Sequence, residues 1–481
     1  MNTLEQLLRK KASEVFTENG DITYDSTLNA NLDFFAAAGS LRRDQKKVSD
    51  LMLKAALEDG DMAVKNLFYL RDIRGGLGER DSFRTSYRTL FERDPKVALR
   101  LLPAVPEYGR WDDILFLLEE EKGRKAVTEF IASQLTKDIE AVKEGKPVSL
   151  CAKWMPSVNT SSKKTREYAR ILLKELGIDE KSYRKLLSTL RGYIDILERR
   201  MSVKDYSFDY AKLPSKALMK HTKAFLRNDE ERYMAFKKSL EKGEVKAKTN
   251  AVYPYEILRL EDEELREVMW RDLNRNMGDA KTIVVRDGSG SMTWGGFYGS
   301  SVCPLDVATS LAILFSEQLT GAFKDKFITF SSRPEFVDLS GCKSLKDKIR
   351  LCNTYNDCSN TDITATYRLI LEAEKNCDPK DWIEKMIIIS DMQFDEGTRN
   401  VSTYEEAKVL FEEAGIPFPQ IVYWNVASRC DFPSSDLENV RLVSGLSQYI
   451  IEGILKDETP DGLTYMKKVL ERYDPVLELL K

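Results

Sequence analysis

Apolar residues recur every three or four positions through roughly the first 275 residues of this 481-residue chain. Stretches such as LEQLLRKKASEVF, VSDLMLKAALED, AVKNLFYLRDI, FRTSYRTLFER and REYARILLKEL each present one apolar face, the signature of amphipathic helices. Gly75-Gly76-Leu77-Gly78 and Arg93-Asp94-Pro95 punctuate them, because glycine and proline stop one helix and admit the next. No strand-like alternation of any length interrupts this half. About a dozen helices of roughly 12 to 18 residues are expected, arranged as an irregular HEAT-like array. No fixed-period sequence repeat is legible.

The pattern changes after Met277-Gly278. Short β-branched runs appear at TIVVR (282–286), KFITF (326–330), MIIIS (386–390), QIVYWNV (420–426) and VRLV (440–443), with helical stretches between them. Nearly continuous apolar strands alternating with helices predict a doubly wound parallel sheet covered on both faces. The expected organisation is therefore a helical-repeat domain over 1–275 and an α/β domain over 276–481. Doubly wound sheets bind ligands at the carboxyl ends of their strands.

There the first strand runs into Asp287-Gly288-Ser289-Gly290-Ser291. One carboxylate and two hydroxyls at alternate positions can point inward from a single tight loop, with glycines letting the backbone wrap closely. Hard oxygen donors suit Mg²⁺ or Mn²⁺. Thr361 opens a later helix and Asp391 follows MIIIS at a strand tip, so both are candidate ligands, although Asp391 could also be a helix cap. Asp362 and Asp395 read as loop or cap residues. A phosphate-binding P-loop would need a Lys-Ser/Thr pair after the glycines, and a hydrolase elbow would need G-x-S-x-G; neither is present.

Charge adds an asymmetry to this picture. Between Lys146 and Asn250 there are 25 Lys or Arg against 13 Asp or Glu, an excess of twelve hidden by the overall net charge of −4. A basic local field favours polyanions whatever the overall pI. The candidate contacts are Lys163, Lys164, Arg166, Arg184, Lys185, Arg199, Arg200, Lys220 and Lys223, with Trp154, Tyr168, Tyr183 and Tyr193 as bases for stacking or, equally, as core. The arginines and aspartates of DIRGGLGER and EYGRWDD can contact phosphate, but pairing that braces adjacent helices is the favoured reading.

Seven cysteines without a C-x-x-C pair argue against a disulfide framework or a zinc site. The single histidine, His221, excludes histidine-rich metal centres and leaves a catalytic triad one possible base. No nucleophile–base pair is evident, so no catalytic residues are assigned and no enzyme is expected. No apolar run approaches the roughly 18 residues of a spanning helix, and a cytoplasmic protein is expected.

D-x-S-x-S resembles the metal-ion-dependent adhesion site of von Willebrand A domains, and that resemblance implies a cation held by Asp287, Ser289, Ser291, Thr361 and Asp391. The whole chain resembles Ro-type (TROVE-like) ribonucleoproteins, and most closely a family of uncharacterised Ro-like proteins. The stretches that carry this include LFYLRDIRGGLGER (67–80), EYGRWDD (107–113), AKWMPS (152–157), YRKLLSTLR (183–191), LPSKAL (213–218), SDMQFD (390–395) and LVSGLS (442–447). The resemblance implies helical repeats closing into a ring through the A domain, single-stranded or structured RNA as partner, and a monomer. The alternative is a metal-dependent adaptor that receives an acidic protein ligand at the ion and binds no RNA.

Overall fold

The computed structural model describes residues 3–249, 252–273, 281–293, 302–331, 333–356, 361–397, 401–427, 431–434 and 438–481. A helix-rich region is followed by a six-stranded, mostly parallel sheet with helices. The change of pattern at Met277-Gly278, and the boundary drawn at 275, lie outside the described residues.

Local signals build the helices as the sequence anticipates. Asp44, Asp59, Ser162 and Asp179 each accept a backbone N–H of the turn they open, and Gly177 ends Lys163–Leu176 in the left-handed conformation. Lengths are less regular than expected. Glu121–Lys143 runs for 23 residues, whereas Val105–Tyr108 and Cys151–Trp154 are single turns. The N-terminus also departs from the helical reading. The helix Thr3–Ala12 stops early, and strands β1 (Glu14–Phe16) and β2 (Ile22–Tyr24) form a short antiparallel hairpin.

The turns DIRGGLGER and EYGRWDD brace one another. Buried Asp113 receives Arg71 Nε at 2.8 Å and Arg84 Nε at 2.9 Å, while Arg84 also reaches Asp112 and Arg42 pairs with Glu79. Charges buried in this way persist because they are paired and hydrogen-bonded. Trp111 stacks on Phe130 with ring centres 5.1 Å apart, and the Arg110 guanidinium lies 3.8 Å from the centre of the Trp154 ring.

The five sequence-predicted strands are β3 (Thr282–Asp287), β4 (Lys326–Phe330), β6 (Lys385–Ser390), β7 (Gln420–Asn425) and β8 (Val440–Ser444). A sixth, β5 (Phe336–Asp338), pairs antiparallel to β4 at one edge, giving the order β5-β4-β3-β6-β7-β8. Both β3 and β6 are buried along their whole length, which requires cover on both faces.

Both ends of the helical region meet the sheet region. At the first, Phe35 stacks on Tyr69 at 5.0 Å and contacts Tyr465, while Tyr69 and Tyr108 meet Tyr473. Gly39 lies so close to β8 that a Cβ would come within 2.9 Å of Ser444 O and 2.7 Å of Leu77 Cδ1. At the second, the helix Pro254–Leu258 packs on Pro304–Ser316, and Arg259 pairs with Asp306. Among the described residues no helix is long and apolar enough to cross a membrane.

Candidate metal centre and basic grooves

Pairing of β3 with β6 in parallel sets Arg286 opposite Ile389, so the two strands deliver Asp287 and Asp391 to the same end of the sheet. Both carboxylates are buried, at 0% and 3% exposure. Asp287 accepts Ser289 N at 2.8 Å and Ser390 Oγ at 2.6 Å. Ser289 Oγ and Ser291 Oγ lie 3.0 Å apart. A Cβ on Gly288 would come within 2.9 Å of Tyr355 O, so this turn needs glycine at that position. No helix begins at Asp391, whose Oδ1 accepts Gln393 N at 3.2 Å; the capping alternative for this residue therefore falls away.

Thr361 meets the segment that follows Asp391 and is already engaged there. Its Oγ1 is 2.6 Å from Gln393 O and 3.1 Å from Asp395 Oδ1, and it accepts Asn19 Nδ2 at 3.0 Å. The β1–β2 turn thus reaches the strand ends: Thr17 Oγ1 donates to Phe394 O, and Glu18 N to Gln393 Oε1. Asp362 caps the helix Ile363–Lys375, as a loop or cap reading expects. Met392, next to Asp391, has φ +66°, a left-handed conformation that costs a non-glycine residue about 1 kcal/mol or more and tends to occur at functional sites.

Do these residues suit a cation? Burial first, and then Asp391, push the Asp287 carboxyl up to about 7. A buried carboxyl beside a second carboxylate resists ionisation, and a divalent ion would relieve that penalty at Asp287. The hydrogen bonds to Asp287 come from neutral donors, and the adjacent oxygens are hydroxyls, which suits a hard ion. Among the described residues no three His, Cys, Asp or Glu side chains gather as a metal cluster. The candidate set accordingly offers two carboxylates, with serine and threonine hydroxyls as its other donors.

Sequence reasoning missed Ser390, Gln393 and Asn19. Ser390 was legible as the one polar residue ending an apolar strand. Asn19 was not, since 342 residues separate it from Thr361.

The basic candidates spread over several grooves. Lys163, Lys164, Arg184, Lys185, Arg199, Lys220 and Lys223 are exposed, and Arg166 and Arg200 half-buried. Lys164 pairs with Glu119, Arg184 with Glu180, Arg200 with Asp195 and Lys223 with Glu261. Lys163, Lys185, Arg199 and Lys220 have no carboxylate within 4.0 Å among the described residues. Arg184, Arg199 and the unanticipated Arg191 line one groove of about 510 Å³ in which, among the described residues, Glu198 is the one carboxylate. Arg191 is fixed there by bonds of 2.8 Å to Ala152 O, 2.8 Å to Met155 O and 2.9 Å to Ser157 Oγ. Tyr168 and Tyr183 are buried and serve as core, so they cannot stack on bases; Tyr193 is exposed.

A helix-rich region docked at both ends on a mostly parallel α/β sheet, with a two-carboxylate loop site at the strand tips, defines the class of protein. The chain belongs to the family described as a domain of unknown function, DUF2828, whose model matches residues 17–120 and 124–286. A second such model, DUF7788, matches residues 281–473. An uncharacterised protein, L728, of Acanthamoeba polyphaga mimivirus is 29% identical over 510 aligned positions, covering 95% of this chain and 87% of the viral one. Among solved structures, the Ro (RSR) protein of Deinococcus radiodurans is similar over 90% of this chain and 100% of its own, at a TM-score of 0.43 and 13% identity.

Proposed function

We propose that this chain is an RNA-binding protein of Ro type, a scaffold or quality-control partner for small or misfolded RNAs, and that it acts without catalysis. In this reading the sheet region is a von Willebrand A-like domain. The observation that carries RNA binding is the groove of Arg184, Arg191 and Arg199, where three guanidinium groups face one carboxylate among the described residues that line it. Guanidinium forks match phosphate geometry, and Arg191 is held in place in advance by its carbonyl partners. Arg184 and Arg199 are exposed, so replacing them spares the core. Arg184→Glu/Arg199→Glu is expected to weaken binding of short RNAs by about tenfold or more at low salt. Unchanged binding in a folded double variant would remove the groove from the account.

The metal site supports a second, compatible role in which Asp287, Ser289, Ser291 and Asp391 hold Mg²⁺ or Mn²⁺, with Thr361 joining them. Bound there, the ion would supply a Lewis-acidic position for an acidic side chain of a protein partner. Saturating Mg²⁺ should raise the melting temperature, since a ligand at about 100 times its Kd adds about 2.7 kcal/mol. In Asp287→Ala the Mg²⁺ response should vanish. An equal Mg²⁺-dependent shift in wild type and variant would place the ion elsewhere.

A further inference from the structure

The turn that runs from Gly75 into the helix Asp81–Arg93 does more than brace its neighbours. It opens onto a cavity of about 520 Å³, where the early helices meet Val252-Tyr253 and the C-terminal Gln448-Tyr449. We propose that this cavity binds the phosphate group of a nucleotide.

Three observations converge there. First, the wall is cationic and held in place in advance. Arg71 is only 2% exposed, and among the described residues it bonds through Nε alone, to Asp113, which leaves both of its terminal nitrogens able to donate. Arg42 and Arg110 are likewise backed by Glu79 and Asp112, while Arg80 and Lys216 are more exposed. Second, the helix Asp81–Arg93 starts at this wall without a side-chain cap, because Arg80 stands where an acceptor usually does. The backbone N–H groups of Asp81, Ser82 and Phe83 have no partner among the described residues. Unpaired amides and the helix dipole together favour an anion. Third, Ser82 lines the cavity at 1% exposure, and among the described residues its Oγ has no hydrogen-bond partner. A buried hydroxyl left unmatched is costly unless a ligand satisfies it.

Amides, a hydroxyl and guanidinium groups approaching from several sides suit a tetrahedral dianion better than a flat carboxylate. The volume lies within the roughly 300–1,000 Å³ of small-ligand sites, and Tyr253 and Tyr449 on the wall offer surfaces for a base or ribose. Two carboxylates also line the cavity. Glu79 is neutralised by Arg42, and Asp81, 71% exposed, sits 3.5 Å from Arg80. The phosphate can come from a free mononucleotide or from an RNA end. The proposal does not depend on the RNA reading, because a free nucleotide would fill the cavity whether or not the basic grooves bind RNA.

The test is calorimetric titration of the full chain with inorganic phosphate, AMP and adenosine. Phosphate and AMP should bind and adenosine should not. Ser82→Ala should weaken AMP by about tenfold without lowering the melting temperature, since Oγ has no bond to lose. Arg80→Gln should weaken AMP as well, whereas Asp81→Asn should tighten it. Preference for a 5′-phosphorylated RNA over its 5′-hydroxyl twin would assign the RNA end as the source. Equal binding of the twins, with AMP still bound, would assign the free nucleotide. Absence of phosphate and AMP binding at millimolar concentration, or AMP affinity unmoved in both Ser82→Ala and Arg80→Gln, overturns the proposal.

Discussion

Asp113 shows how much can depend on one side chain. Its two oxygens hold Arg71 and Arg84, and its Oδ2 also accepts Arg110 N at 2.9 Å. Removing it leaves a guanidinium buried without its partner, so Asp113→Ala should lose about 3–5 kcal/mol in denaturant unfolding. A loss below about 1 kcal/mol would mean the cluster is solvated. Glu374 is the opposite case. One carboxyl oxygen accepts Ile383 N at 2.7 Å, the other is buried with no partner among the described residues, and burial pushes the group up to about 7. The folded chain therefore holds this proton more tightly than the unfolded one. The resulting stability is complete below the unfolded pKa of about 4.3 and is lost as pH rises through about 7. Glu374→Gln should flatten stability against pH across that window and raise it at pH 8. A parallel pH profile in the variant would contradict the assignment. The bracing role of Asp113 was legible in the sequence, because EYGRWDD and DIRGGLGER pair opposite charges at turns. The unmatched oxygen of Glu374 was not, since it depends on packing at the far end of a helix.

Among the elements, the strands were easier to read than the helices. β3, β6, β7 and β8 are apolar runs bounded by turns, and buried parallel strands leave little ambiguity. β5 and the β1–β2 hairpin escaped because three-residue strands carry no periodicity of their own. What secures the hairpin is distant in sequence, including a bridge from Tyr24 to Phe432 and another from Gly20 to Asp395. The same holds where the helix Ala30–Ala37 meets β8. Gly39 was one glycine among 25 in the sequence, and only the fold shows that Ser444 and Leu77 leave no room for a side chain. Gly39→Val should destabilise by about 1–3 kcal/mol through overpacking, measured by chemical unfolding. Wild-type stability would show that this contact is loose.

At the scale of the molecule, the helical region leaves the sheet region through an aromatic seam around Tyr473 and returns to it along Pro304–Ser316. The D-x-S-x-S loop and the strand-tip Asp391 could be paired from sequence because parallel sheets gather strand ends. The groove of Arg184, Arg191 and Arg199 could not, since charge excess reveals a field but not which cations share a wall. The central claim is that this basic wall binds RNA while the metal serves something else. Fluorescence anisotropy with short single-stranded and hairpin RNAs, titrated across salt with Mg²⁺ and again with EDTA, tests it most directly. The account predicts measurable binding whose log affinity falls linearly with log salt, unchanged by EDTA. Absence of binding at the lowest salt would contradict it and leave the metal site to a protein partner.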